Sequence, residues 1–220
     1  RKPSPPFITS TLQQDASRSL RISPSQTMSI AQQLYEGIDI GSDGQVGLIT
    51  YMRTDSTNVA TIALDETAKY ILGKYGSKYL PNSPRRYAKK VKGAQEAHEA
   101  IRPTSVYRDP TSLKPYLDNN QFKLYELIWK RMVASQMVNA IFDHTSVDIV
   151  TKGSSSGSKY TFQTVGSVMR FDGFRTLYIE GTDDVESTDE KNGILPALHK
   201  GEKLNCYKIT PHQKFTEPPP

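Results

Sequence analysis

The segment Val46-Gly-Leu-Ile-Thr-Tyr-Met-Arg-Thr-Asp-Ser56 places a tyrosine, Tyr51, two residues before an arginine, Arg53. On a β-strand, residues two apart share a face, so Ile49, Tyr51 and Arg53 are expected on one side and Leu48, Thr50 and Met52 on the other. A phenol of pKa about 10 is a weak nucleophile at neutral pH, and an adjacent guanidinium favours its phenolate while also clamping a phosphate. The competing reading is packing: the chain has 12 tyrosines, and a strand tyrosine commonly serves a core or cross-strand contact. A second constellation is Gln95-Glu-Ala-His-Glu-Ala-Ile-Arg-Pro103. If helical, it sets His98 and Arg102 one turn apart on one face, and Pro103 ends the helix near Arg102. Such a pair can grip a phosphate, or His98 can move a proton. Alternatively, both cations simply favour a helix C-terminus. No second histidine follows His98 at the spacing of a zinc-protease helix, and the acidic run Glu180 to Glu190 lacks the spacing of a calcium loop, so no metal ligands are assigned.

The elements expected to hold these residues are helical at first. A capping box from Ser10 to Gln13 opens a short helix reaching about Leu20. Ser23 followed by Pro24 opens a second, ended by Gly37. Ile38 to Ile40, the turn Gly41-Ser-Asp-Gly44 and the run Val46 to Arg53 read as a hairpin, so the whole suggests a winged-helix-like arrangement. Asp55 to Asn58 suit the start of a helix that runs through Ile71 to Tyr75 and stops at Gly76. A basic loop with Arg85, Arg86, Lys89, Lys90 and Lys92 follows. A helix is then expected from about Asn120 to Met137, with Tyr125, Ile128, Trp129, Met132 and Val133 as its apolar stripe. Beyond residue 139 the period changes, and Thr145 to Thr151, Tyr160 to Val165, Phe174 to Ile179 and Lys203 to Ile209 read as strands. The expected fold class is therefore α+β, with domains at 1–139 and 140–220.

Composition narrows the partners. With 28 Lys and Arg against 23 Asp and Glu, the 220-residue chain carries +5, and six carboxylates fall in Glu180 to Glu190, so the rest is more basic still. A basic body suits a polyanion. No apolar run approaches the ~18 to 20 residues of a membrane span, and the single cysteine, Cys206, excludes paired-cysteine zinc and redox motifs. The start at Arg1 and the end in Pro218-Pro-Pro220 suggest a piece of a longer protein.

Four strings taken together resemble bacterial type IA DNA topoisomerases: Pro6-Phe-Ile-Thr-Ser-Thr-Leu-Gln-Gln14, Thr27-Met-Ser-Ile-Ala-Gln-Gln-Leu-Tyr-Glu-Gly37, Gly47-Leu-Ile-Thr-Tyr-Met-Arg-Thr-Asp-Ser56 and Gln95-Glu-Ala-His-Glu-Ala-Ile-Arg-Pro103. Leu124 to Trp129, Val133 to Met137, Arg170 to Phe174 and Phe215 to Pro219 extend the likeness. The resemblance implies a winged-helix-like (CAP-like) catalytic-tyrosine domain followed by part of a β-rich hinge domain. It makes Tyr51 the nucleophile that takes the 5′ phosphate of single-stranded DNA, Arg53 the residue at the scissile phosphate and His98 a phosphate contact. Arg102 joins them as a DNA contact on the helix geometry. It implies ATP-independent relaxation of negatively supercoiled DNA in a cytoplasmic, nucleoid-associated enzyme. Magnesium would be held on a Toprim domain that has no counterpart here, so the piece alone is expected to bind no metal and to be inactive in relaxation. A winged-helix-like DNA-binding module without chemistry is the alternative.

Overall fold

The computed structural model describes residues 1–87, 98–151, 159–179, 195–213 and 215. Helix α1 (Thr9–Asp15) continues into one π-helical stretch, Ala16–Leu20, and Arg21 in the left-handed region (φ 60°) turns the chain out of it. The expected Ser10 cap gives way to a start at Thr9. Ile8 is extended, the Thr11 hydroxyl accepts its N–H at 3.0 Å, and Thr9 is held from a distance by residues 52–54. Helix α2 (Pro24–Glu36) begins as the sequence indicates: Ser23 Oγ accepts the Gln26 N–H at 3.3 Å, and Gly37 at φ 127° ends it.

A minimal ribbon follows, β1 (Ile38–Asp39) paired antiparallel with β2 (Gln45–Val46). The strand expected to run on to Arg53 stops there. Instead residues 47–50 run extended between α2 and residues 101–104: Leu48 N–H donates to Leu34 O at 2.7 Å, Thr50 N–H to Arg102 O at 2.9 Å, and Thr104 N–H to Leu48 O at 2.9 Å. Only the bridge Ile49 to Pro103 forms between them, because the N–H groups that would extend the ladder are taken elsewhere, Leu48 by Leu34 O and Arg102 by Thr50 Oγ1. Gly47 sits where a Cβ would lie 2.7 Å from Tyr35 O, so this close approach needs glycine.

Helix α3 (Thr61–Tyr75) ends at Gly76, φ 87°, as read from sequence, but starts later than Asp55 to Asn58 suggest. Those residues form side-chain turns instead, Ser56 N–H to Thr54 Oγ1 at 3.0 Å and Asn58 N–H to Ser56 Oγ at 3.1 Å. A short α4 (Pro110–Leu113) precedes α5 (Asn119–Ser135), whose cap is a box between Asp118 and Gln121. The stripe Tyr125, Ile128, Trp129, Met132 and Val133 is buried in one core with Phe7, Leu12, Leu34, Leu48, Ile49 and Ile71. Trp129 Nε1 donates to Val106 O at 2.9 Å and Tyr125 to Arg108 O at 2.6 Å, so both rings bury area without stranding a polar atom.

After α5 the chain forms one long antiparallel ribbon, β3 (Ile141–Val150) with β4 (Thr161–Phe171), which overlap the first two strands expected there and are longer than them. The other two are not strands. Residues Gly173–Thr176 form a 3-10 turn, and 203–209 lie unpaired and exposed. Gly173 explains the turn: at φ 51° it lies against Asn139, where a Cβ would come within 2.4 Å of the carbonyl oxygen. The turn brings Tyr178 back onto the helical core, where its hydroxyl donates to Asp15 and accepts from Arg131 Nη1 at 3.0 Å. The architecture is mixed α and β, five α-helices with two two-stranded antiparallel ribbons among the described residues. No helix among them is long and apolar enough to cross a membrane.

Candidate nucleic-acid site

Tyr51 and Arg53 stand out from the core on a short extended run pinned at both ends. On one side, Thr50 Oγ1 donates to Ala100 O at 2.7 Å and accepts the Arg102 N–H at 2.9 Å. On the other, the Thr9 hydroxyl donates to Met52 O at 2.8 Å and accepts the Thr54 N–H at 2.9 Å, while Thr9 N–H reaches Thr54 O at 2.9 Å. Met52 and Thr54 are buried between these anchors, so Tyr51, Arg53 and Asp55 must face outward. The expected face of three is thereby split: Ile49 is buried beside Leu48, since α2 covers one side of the run there and residues 101–103 cover the other.

Tyr51 is 43% exposed, and its ring meets Tyr35 of α2 edge-on, centroids 5.3 Å apart. Its position differs from that of the buried tyrosines. Burial pushes Tyr87 up to about 12, against the lowering effect of Arg85 and Arg131. Desolvation likewise raises Tyr125 and Tyr178. Those three phenols hold their protons more tightly than a free phenol does.

Arg53 and His98 line one open groove of about 500 Å³ with Asp55, Thr9, Ser10 and Gln13. A second groove of about 320 Å³ also touches Ser10 and Gln13 and runs along α1 to Ser17 and Arg18. The structure therefore brings Arg53 and His98 together, with Tyr51 at the next outward position. It does so without the expected helix. Residues 98–100 are not helical, and Ile101 and Pro103 make single bridges to Phe7 and Ile49. His98 and Arg102 consequently part: His98 is exposed at the groove, whereas Arg102 is only 9% exposed. The Arg102 guanidinium binds Glu99 Oε2 at 2.5 Å and Pro103 O at 3.0 Å. An extended run rises about 3.3 Å per residue against about 1.5 Å in a helix, so residues four apart lie about 13 Å apart along the chain and the one-turn contact that a helix would give is lost.

In the basic loop, Arg85 is committed to Met137 O at 2.9 Å and Asn139 Oδ1 at 2.7 Å, while Arg86 reaches Thr61 Oγ1 at 3.2 Å. Lys89, Lys90, Lys92 and the acidic run Glu180 to Glu190 lie outside the described residues. Sequence reasoning passed over Thr9, Ser10, Gln13 and Asp55 in the groove and Thr50 and Glu99 behind it. Of these only Asp55 carried a signal, as the next outward position after Tyr51 and Arg53.

Known proteins resemble this chain along its whole length. The sequence model of the DNA topoisomerase family matches residues 1–220. A DNA topoisomerase 1 of Xylella fastidiosa is 50% identical over 221 residues, spanning all of this chain and 26% of its own length. One of Rickettsia felis is 51% identical over 220 residues, again spanning all of this chain and 27% of its own length. The full-length topoisomerase I of Thermotoga maritima superposes on 86% of this chain, and 29% of its own, at 39% identity with a TM-score of 0.68. The chain thus spans about a quarter of the length of these curated relatives. With a family match across its whole length and relatives about 50% identical over all of it, this chain belongs to the DNA topoisomerase family.

Proposed function

We propose that this chain is the tyrosine-bearing part of a type IA topoisomerase and that Tyr51 is its nucleophile. The observation that carries the reading is the exposed Tyr51 two residues from Arg53, which shares its groove with His98. The Tyr51 phenol loses its proton and its oxygen attacks a phosphodiester of single-stranded DNA. A P–O bond to Tyr51 forms, the bond to the 3′ oxygen breaks, and that oxygen leaves as a protonated 3′ hydroxyl. The DNA keeps its 5′ phosphate on the protein, and the phosphodiester energy is retained, so the reverse attack reseals the strand without ATP. Arg53 supplies a bidentate cation to the phosphate oxygens as charge develops, and His98 contacts the same or an adjacent phosphate. Arg102, held by Glu99 and Pro103 O, orients the backbone beside the groove rather than meeting DNA.

The helices α1 and α2 followed at once by the β1–β2 ribbon support the winged-helix-like reading of the first part, and the β3–β4 ribbon supports the hinge reading of the second. Magnesium does not fit the groove described here. Asp55 is its one carboxylate, beside Arg53, and no group of three or more His, Cys, Asp or Glu among the described residues is placed to hold an ion. No step is routed through it. Its ligands are proposed to lie in the part of the longer relatives that this chain does not span, which also makes the isolated chain inactive in relaxation. The activity, the cytoplasmic nucleoid setting and the single-stranded DNA partner belong to that whole protein.

The test is covalent trapping with the full-length protein on a single-stranded oligonucleotide. A 3′ label should move with the protein after denaturation, a 5′ label should appear as a shortened free strand, and Tyr51→Phe should show neither. An adduct that survives Tyr51→Phe overturns the assignment.

A further inference from the structure

We propose that Glu99 and Arg102 form a positioning device that sets His98 and Tyr51 in register for the attack, an inference resting on the function proposed above. Glu99 bridges two elements. Its Oε1 accepts the Ala60 N–H at 2.6 Å, at the start of α3, and its Oε2 takes the Arg102 guanidinium at 2.5 Å. Arg102 in turn fixes its own strand through Pro103 O at 3.0 Å, and its backbone exchanges two bonds with Thr50, N–H to Oγ1 and C=O from N–H, each 2.9 Å. Thr50 is the residue before Tyr51, and Glu99 is the residue after His98. The pair therefore ties the two functional side chains through one residue each, while neither partner lines the groove.

The pair is also costly to build, which argues against a purely local role. Arg102 is almost wholly buried and its Nε finds no partner among the described residues. The Glu99 side chain is 30% exposed, so the pair is only half-buried, and such a pair is often no more stabilising than apolar residues of the same volume; stability alone gives little reason for it. Orientation does. A guanidinium fork bound in two directions and a carboxylate bound in two directions leave one geometry for the segment 98–102. In-line attack is sensitive to displacements of about an ångström, and a slip of that size lowers rates by ~100-fold.

The experiment uses the full-length protein with three variants, Glu99→Gln, Glu99→Gln/Arg102→Met and Tyr51→Phe. Each is measured for the single-turnover rate of adduct formation at saturating oligonucleotide, for oligonucleotide affinity and for thermal stability. Glu99→Gln should slow the adduct step by ~10- to 100-fold with affinity unchanged, since the pair acts on geometry and not on binding. The double variant removes the unpaired cation and should regain thermal stability, yet stay as slow as the single variant. A rate that recovers together with stability, a wild-type rate in Glu99→Gln, or a double variant without a thermal transition each overturns the proposal. An adduct persisting in Tyr51→Phe overturns the underlying function instead.

Discussion

Replacing Tyr178 by phenylalanine should loosen the helical core at a point far along the chain from α1 and α5. Asp15 and Arg131 are each 3% exposed, and the Tyr178 hydroxyl lies between them, donating to one and accepting from the other. Hydrogen bonds to charged groups contribute about 1.5 to 3 kcal/mol each. Neither ion is orphaned by the change: Asp15 keeps the Ser19 hydroxyl at 2.8 Å, and Arg131 keeps Pro5 O at 2.6 Å and its place over the Phe7 ring. The loss should therefore fall near the low end of two such bonds, about 3 kcal/mol. Urea unfolding followed by Trp129 fluorescence reports this core specifically, because Trp129 is the single tryptophan and is buried in α5. With an m-value of about 2 to 3 kcal/mol/M, the midpoint should drop by roughly 1 M with the slope unchanged. Tyr207→Phe, at a side chain 94% exposed, should not move it. A Tyr178→Phe midpoint within error of the parent would refute the view that this buried polar contact holds residues 173–178 to the helices.

Three further outcomes follow from the same geometry. Gly47→Ala should destabilise the chain by about 1 to 3 kcal/mol in the same assay and slow adduct formation, because its Cβ would press on Tyr35 O and displace the run carrying Tyr51. Arg53→Gln in the full-length protein should weaken oligonucleotide binding and reduce the salt dependence by about 0.7 in the log–log slope, the signature of one lost phosphate contact on a single strand; an unchanged slope would remove Arg53 from the phosphate. Alkaline titration should unfold the chain above pH ~10: Tyr87, Tyr125 and Tyr178 hold their protons more tightly when folded, so their contribution is complete below the unfolded phenol pKa and is lost as pH rises through the folded values, for Tyr87 about 12. Circular dichroism against pH would show this, and a flat profile to pH 12 would contradict the burial argument.

Family membership bears on how these measurements are read. The relatives are about four times longer than this chain, so stability experiments address the chain itself, whereas cleavage and binding experiments require the whole protein.

Local rules carried the parts of the fold that local forces decide. Ser23 with Pro24, Gly37 and Gly76 marked helix ends correctly because capping needs only neighbours in sequence, and the apolar stripe of α5 was legible because burial follows the 3.6-residue period. The strings around Tyr51 and His98 were enough to suggest a family and a nucleophile. What tertiary structure decided is which conformation those strings adopt. His98 to Arg102 has a helical composition, yet the open backbone groups of Phe7, Thr50 and Asn58 offer it long-range hydrogen bonds, and in taking them the segment becomes extended. That change sends His98 to the groove beside Arg53 and turns Arg102 inward to Glu99. Periodicity cannot foresee this, because the partners are some 40 to 95 residues away and the competing local and non-local bonds differ by only a few kcal/mol.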